Sequence, residues 1–347
     1  MLKPIISLQS LVRAAMALKI SDLAKGSLMI FDGRSSCGKP HRLMDSICRS
    51  VTRFSMAIML LGVGAHAEAG EEASPALQPS LGMLLVAEDF ESGGWSEAFW
   101  VKNWCRFHYS CQVVPSPDGS GRSLRVRFRS SEVTANDRRT WGGELASRHS
   151  IPVNEQWIGL RIYFSREEFG VDSQPVILLQ QHDVPDPGTS ETYRNPILAI
   201  TYLHGKLAAN YRGSKEPVTP RAESGWVYSG KGGIDLGSPR FDQWNALVIH
   251  SRWDAIGSPT GEFKGLLEVW LNGTRVVLDG INIGFNDVNQ PRLKFGHYYY
   301  DHSSDFPQRT TYFDDIKVVG GRGGFCDVVP IGSDMPSGLA CHPGIPR

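Results

Sequence analysis

The segment LKFGHYYYDH, residues 293–302, places a lysine, a glycine, two histidines and three consecutive tyrosines in one short run. On an extended chain, alternation sends Lys294, Gly296, Tyr298 and Tyr300 to one face and Phe295, His297 and Tyr299 to the other. The first face carries an ammonium, a gap with no side chain, and two phenols. Such a gap lets something approach the backbone closely. Two further stretches interrupt apolar runs with polar groups. In ILLQQHD (177–183), Gln180 and His182 share a face, and in NDRRTWGGEL (136–145), Arg138 and Arg139 precede Glu144-Leu145. Set on one concave sheet, these stretches offer an amide, an imidazole, guanidinium groups, an ammonium and a phenol.

One reaction class uses that whole set. β-Elimination in a uronic-acid polymer removes the proton next to the carboxylate and expels the glycosidic oxygen. The carbon acid is very weak until the carboxylate is neutralised, so amide and cationic groups must stabilise the enolate-like state. A base that works near neutral pH takes the proton, and an acid protonates the leaving oxygen. An ordinary histidine titrates near pH 6.5, which suits the base. A tyrosine among cations can serve as base, acid or both.

The elements that must hold these groups read as strands. Short β-type runs recur with turn residues between them, among them SLRVRFR (123–129), QWIGLRIYF (156–164), PVILLQQH (175–182), ILAITYLHGKLAANY (197–211), WNALVIHSRW (244–253), GLLEVWLNGTRVVL (265–278) and TTYFDDIKVV (310–319). Asn272-Gly273 between alternating apolar runs is a strong hairpin signal. No long amphipathic helix, repeat or heptad pattern interrupts the series. The expectation is an all-β protein, a jelly roll or sandwich with a concave groove.

Composition sets the context. Residues 44–69 have the charged start (Arg49, Arg53), apolar run (Phe54 to Val63) and small-x-small sites of a secretory signal. The apolar run is too short to span a bilayer. Residues 1–43 have no role ahead of such a signal, so Met44 is the expected start, the alternative being a long n-region. Residues 70–83 read as a flexible lead-in, 84–320 as the domain, and 321–347 as a stapled tail. Lys plus Arg and Asp plus Glu are 36 each over the chain, and residues 1–69 carry nine and four of them, leaving 27 against 32, or −5. That excludes a general polyanion-coating surface, and nucleic acid is not an expected partner. Four cysteines remain beyond the signal. Their spacing matches no zinc motif, and the two local disulfides Cys105–Cys111 and Cys326–Cys341 are favoured. A secreted or periplasmic monomer is expected.

The residues resemble the polysaccharide lyases of the heparin lyase I and glucuronan lyase type, with alginate lyases as more distant relatives. The resemblance rests on Gln180-Gln181-His182, on Arg138/Arg139 before Glu144-Leu145, and on Lys294-Phe295-Gly296-His297-Tyr298. RNPILAI (194–200) and YFDDIKV (312–318) are similar to family framework. The resemblance covers about residues 84–320 and implies a concanavalin-like jelly roll. It also implies Tyr298 as general acid and also base, His182 as base or charge neutraliser, and Gln180 with an arginine (Arg139 first) on the carboxylate. Lys294, Arg138, Arg194, Tyr300 and His297 are the expected substrate-binding residues of an acidic polysaccharide. One position departs from the pattern. Where similar lyases have R-x-E-L, Gly142 stands in place of the arginine, which leaves Arg139, Arg138, Arg148 and Arg194 as substitutes.

Two other functions fit a jelly roll. A non-catalytic carbohydrate-binding protein needs the aromatics and cations but no converging Tyr and His. A glycoside hydrolase needs two facing carboxylates, and no E-x-D-x-x-E strand is present. No cofactor is needed for the elimination chemistry. A structural Ca²⁺ is an option, with Glu91 and Asp315 (or Asp314) as oxygen ligands.

Overall fold

The computed structural model describes residues 82–134, 136–169, 175–299, 307–336, 338–339 and 341. The signal segment, residues 1–43, most of the lead-in, and Tyr300 lie outside the described residues. Two eight-stranded sheets, antiparallel apart from one short pairing, face each other. In sheet order, the groove sheet runs Gly230–Gly237, Lys206–Ser214, Leu198–Leu203, Val176–His182, Arg292–Tyr299, Gly142–Ser147, Trp100–Asn103. The opposing sheet runs Thr274–Ile281, Gly265–Leu271, Trp244–Arg252, Glu155–Phe164, Gln308–Gly320, Arg122–Arg129, Cys111–Pro115. This is the β-sandwich expected of a jelly roll.

Side-chain alternation builds the core between the sheets. Leu293, Phe295, His297 and Tyr299 are fully buried, while Arg292, Lys294 and Tyr298 face outward from the same strand. Trp100 meets Phe295 edge-on at 4.9 Å, and Phe128 stacks on Tyr299 at 4.2 Å across the two sheets. The Val176–His182 strand keeps Leu178 and Leu179 both in the core because its register slips between Ile177 and Leu179. That bulge restores Ile177, Gln180 and His182 to the outer face.

The turns follow their chemistry. Asn272 and Gly273 take φ of 50° and 81° and close the expected hairpin. The run 197–211 is itself a hairpin, turning at His204-Gly205 with φ of 50° and 78°. The first strand, Met83–Glu88, pairs with Gln308–Gly320, so the opening and closing segments of the domain are neighbours.

Both favoured disulfides form. Cys105–Cys111 ties the exit of the Trp100–Asn103 strand to the opposing sheet. Cys326–Cys341 closes the tail, whose Phe325 and Val328 pack with Val248, Trp270 and Val319 on the outer side of the opposing sheet. That second bridge spans 15 residues, a loop whose closure restricts the unfolded chain by about 3 kcal/mol. Replacing Cys326 and Cys341 by serine should therefore lower unfolding stability by up to about 3 kcal/mol in a denaturant titration. No stability loss would mean that the tail adds nothing to the fold.

Candidate active site

The groove floor is assembled from three adjacent central strands and one edge strand. Lys294 stands opposite Gln180 on one side and Ala146 on the other, Arg292 opposite His182, and Tyr298 between Ile177 and Gly142. Glu144 pairs with Gly296, yet its carboxylate reaches across to the next strand. Oε1 accepts from Gln180 Nε2 at 2.6 Å, and Oε2 accepts from Asn103 Nδ2 at 2.8 Å on the other side. The carboxylate thus joins side chains on both flanks of its own strand pair, passing over Gly296, where no side chain stands in the way.

That passage depends on close backbones. Gly296 has φ of +142°, and a Cβ there would lie 2.2 Å from the Gly143 carbonyl oxygen. Gly142 has φ of +155°, and its Cβ would lie 2.0 Å from the His297 carbonyl oxygen. The gap in the opening motif is filled by the neighbouring strand and by Glu144. The same contact explains why no arginine occupies the R-x-E-L position, since Gly142 has neither the conformation nor the room for a side chain.

The charges are mutually adjusted. Burial pushes the Glu144 pKa up, while Lys294, Gln180, Asn103 and His182 oppose that shift. Burial pulls the Lys294 pKa down, Glu144 and Asp183 oppose it, and Arg292 adds to it. His182 Nδ1 lies 2.7 Å from Asp183 Oδ1 and 3.2 Å from the Asp183 carbonyl oxygen. Both are acceptors, so Nδ1 carries the proton and Nε2 is the basic nitrogen of the neutral ring. Tyr298 lies against Trp104, ring centroids 4.6 Å apart, and Trp104 itself takes a left-handed φ of 60° to present its ring. Along the strands, His182 and Tyr298 flank the Glu144–Gln180–Lys294 cluster from opposite ends.

A family model for polysaccharide lyases matches residues 90–317, which takes in every strand of this floor. The chain belongs to the polysaccharide lyase family. Among solved structures, an endo-β-1,4-glucuronan lyase from the fungus Trichoderma reesei is similar over 72% of this chain and 99% of its own, with 16% identity and a TM-score of 0.55. Alginate lyase vAL-1 from Chlorella virus matches over 69% of this chain and 100% of its own, with 13% identity and a TM-score of 0.45. By sequence alone, no curated protein matches the chain. Among the described residues, no helix is long and apolar enough to cross a membrane.

Arg194 and His297 of this lyase sit elsewhere than the sequence suggests. Arg194 was expected on the substrate, but its side chain is wholly buried. It donates to Asp183 at 2.9 Å, to Thr219 at 2.8 Å, and to Glu191 and Asp287. Burial alone would lower its pKa, and Asp183 and Asp287 more than reverse that. It anchors the carboxylate that borders His182. Arg139 lies in the turn Arg138–Thr140 ahead of Gly142, near the Tyr298 end, and both its Nε and Nη2 donate to Asp137. Arg138 shares that turn. Arg148 donates to the Glu97 carbonyl oxygen. His297, also expected at the substrate, points into the core. Burial, reinforced by Arg309, takes its pKa down to about 3, so the ring is neutral.

Both proposed calcium ligands have protein partners. Asp315 is paired with Arg161 Nε at 2.8 Å, and Glu91 accepts the Arg122 N–H at 3.0 Å. A trio of carboxylates, Asp186, Glu191 and Asp287, gathers near Arg194, whose guanidinium pairs with Glu191 and Asp287. In the sequence Glu144 is a landmark of the groove-lining motif with no role of its own, Asp183 reads as loop solvation, and Asn103 and Arg292 carry no signal. Only the polar character of Glu144 amid GGELA gave a signal.

The glycine pair yields a direct test. Gly296→Ala and Gly142→Arg should each destabilise the lyase by at least about 1–3 kcal/mol in denaturant unfolding. Gly188→Ala is the control for positive φ alone (+81°), because nothing lies within 4 Å of its Cβ position. Equal losses at all three sites would show that close strand approach contributes nothing.

Proposed function

We propose that this lyase cleaves a uronic-acid-containing acidic polysaccharide, of the glucuronan or heparin kind, by β-elimination. The observation that carries the reading is the gathering of Gln180, His182, Lys294 and Tyr298 on one side of two paired strands, around the buried Glu144. The fold shared with a glucuronan lyase supports it at the level of architecture.

In this reading, Lys294 takes the substrate carboxylate and stabilises the charge that develops on it, while Gln180, buried against Glu144, holds that neighbouring carboxylate in place. The Tyr298 phenolate removes the proton next to that carboxylate. The C–H electrons form the new carbon–carbon double bond, and the glycosidic C–O bond breaks. Tyr298, now a phenol, gives the same proton to the leaving oxygen, so no water is consumed. Ile177, opposite Tyr298, is five residues from His182 along a strand with a bulge between them, and the two side chains stand at opposite ends of the floor. This placement supports giving both proton transfers to Tyr298 and a substrate-contacting role to His182. The two disulfides, together with the signal-like segment, support export to a secreted or periplasmic location.

The purified protein should generate unsaturated, ultraviolet-absorbing ends from a polyuronate panel of glucuronan, heparin and alginate. Tyr298→Phe should cut turnover by roughly 10²–10⁴, the usual loss of a positioned acid–base group, with folding intact. Tyr299→Phe, whose ring lies in the core, should leave turnover near normal. Saturated reducing ends would move the chemistry to hydrolysis, and normal turnover in Tyr298→Phe would remove the central residue.

Lys294 gives the pH dependence. Its folded pKa is lowered, so on raising the pH it loses its charge below the ordinary value of 10.5. KM for the acidic polymer should therefore rise on the alkaline side, beginning below that pH. Lys294→Arg should abolish the rise, because a guanidinium stays protonated throughout. A KM–pH profile identical in the two proteins would show that Lys294 does not bind the carboxylate.

A further inference from the structure

The position where similar lyases carry an arginine is closed here by Gly142, and Arg194, Arg139 and Arg148 are already engaged by protein acceptors. Arg292 is placed differently. It shares its outward face with Lys294 and Tyr298, stands opposite His182, and is exposed. Among the described residues its guanidinium has no ion pair, and it is close enough to Lys294 to lower that lysine's pKa. Glu144 and Asp183 lie close to Lys294 and favour its charge, whereas among the described residues no carboxylate pairs with Arg292. Beside it the loop from Asp183 to Asn195 raises Tyr193, 70% exposed, edge-on to the His182 ring at 5.8 Å. An exposed phenol ring, an imidazole and an unpaired guanidinium then line the far end of the floor from Tyr298.

We infer that Arg292, with Tyr193 as an aromatic wall, forms a subsite for a second acidic group of the polymer, distinct from the carboxylate at the reacting sugar. The inference rests on the lyase reading for the identity of the polymer. A guanidinium fork binds carboxylate or sulfate oxygens through two parallel N–H donors, which an ammonium does not reproduce. The substrate class is thereby narrowed to chains that carry an acidic group on more than one sugar within the groove. Arg292 acts in binding and takes no part in proton transfer.

The test is calorimetric binding in a Tyr298→Phe background, so that no turnover is needed. The probes are glucuronan oligomers, heparin oligomers, and neutral cello-oligosaccharides of matched length. Arg292→Ala should weaken an acidic probe roughly ten- to hundredfold at low salt, the cost of losing a charge-assisted pair of hydrogen bonds. It should leave the neutral probe unchanged, and Arg292→Lys should restore part of the loss. A loss for glucuronan identifies a carboxylate as the second group, and a loss for heparin alone identifies a sulfate. In the active protein the same substitution should raise KM and spare kcat. The subsite is overturned by an unchanged affinity for both acidic probes, by an equal loss for the neutral probe, or by failure of every acidic oligomer to bind. If the Arg292 effect appears in a protein that produces no unsaturated ends, the elimination mechanism fails and the subsite stands.

Discussion

The groove is organised by one close approach, the meeting of the Gly142–Ser147 and Arg292–Tyr299 strands at Gly142 and Gly296. Each glycine there faces the other strand's carbonyl at a distance no Cβ could share. The consequence reaches past the backbone. With no side chain at 296, Glu144 extends over its neighbour to Gln180 while holding Asn103 on its other side. Hydrogen bonds through one carboxylate thus register side chains from three strands. A buried carboxylate is costly without partners, and here two amides and a nearby lysine meet that cost. The raised pKa of Glu144 and the lowered pKa of Lys294 are two sides of the same burial.

A second buried network performs the same task at the other end. Arg194 is shut away from solvent and holds Asp183, and Asp183 borders Nδ1 of His182. Truncating Arg194 would leave Asp183, Glu191 and Asp287 without their shared buried cation. The chain therefore uses its interior charges to fix polar side chains on the groove face. Among the described residues of the floor, Lys294 and Arg292 are cations on the outward face, a local basic patch on a domain of net negative charge.

Much of this was legible in the sequence because strands write their burial with a period of two. Alternation placed Lys294 and Tyr298 on one face and Phe295, His297 and Tyr299 on the other, and the structure agrees residue for residue. The Asn272-Gly273 hairpin and both disulfides were legible for local reasons, a required backbone conformation and short spacing. The substrate role given to His297 was not consistent with its own place in that alternation. Arg194 misled because a sequence shows a charge but not whether acidic groups from residues 183, 191 and 287 will converge on it. Gly142 could be seen as a departure, but its reason, a carbonyl on another strand, is a long-range fact.

The division between sheet and loops bears on what such a site can vary. Gln180, Lys294 and Tyr298 sit on strands paired on both sides, so their positions are set by ladders that tolerate little shift. Trp104, Arg139 and Tyr193 stand on turns and loops at the rim, where the backbone accepts change. Proton transfer next to a carboxylate demands fixed geometry within a fraction of an ångström, whereas recognition of the polymer beyond the reacting sugar does not. Arg292 occupies the boundary, at the first residue of a central strand and exposed to the groove. It has the strand's positional accuracy and a loop residue's access to ligand, and that combination suits a guanidinium that must read an acidic group at a fixed offset from the bond being broken.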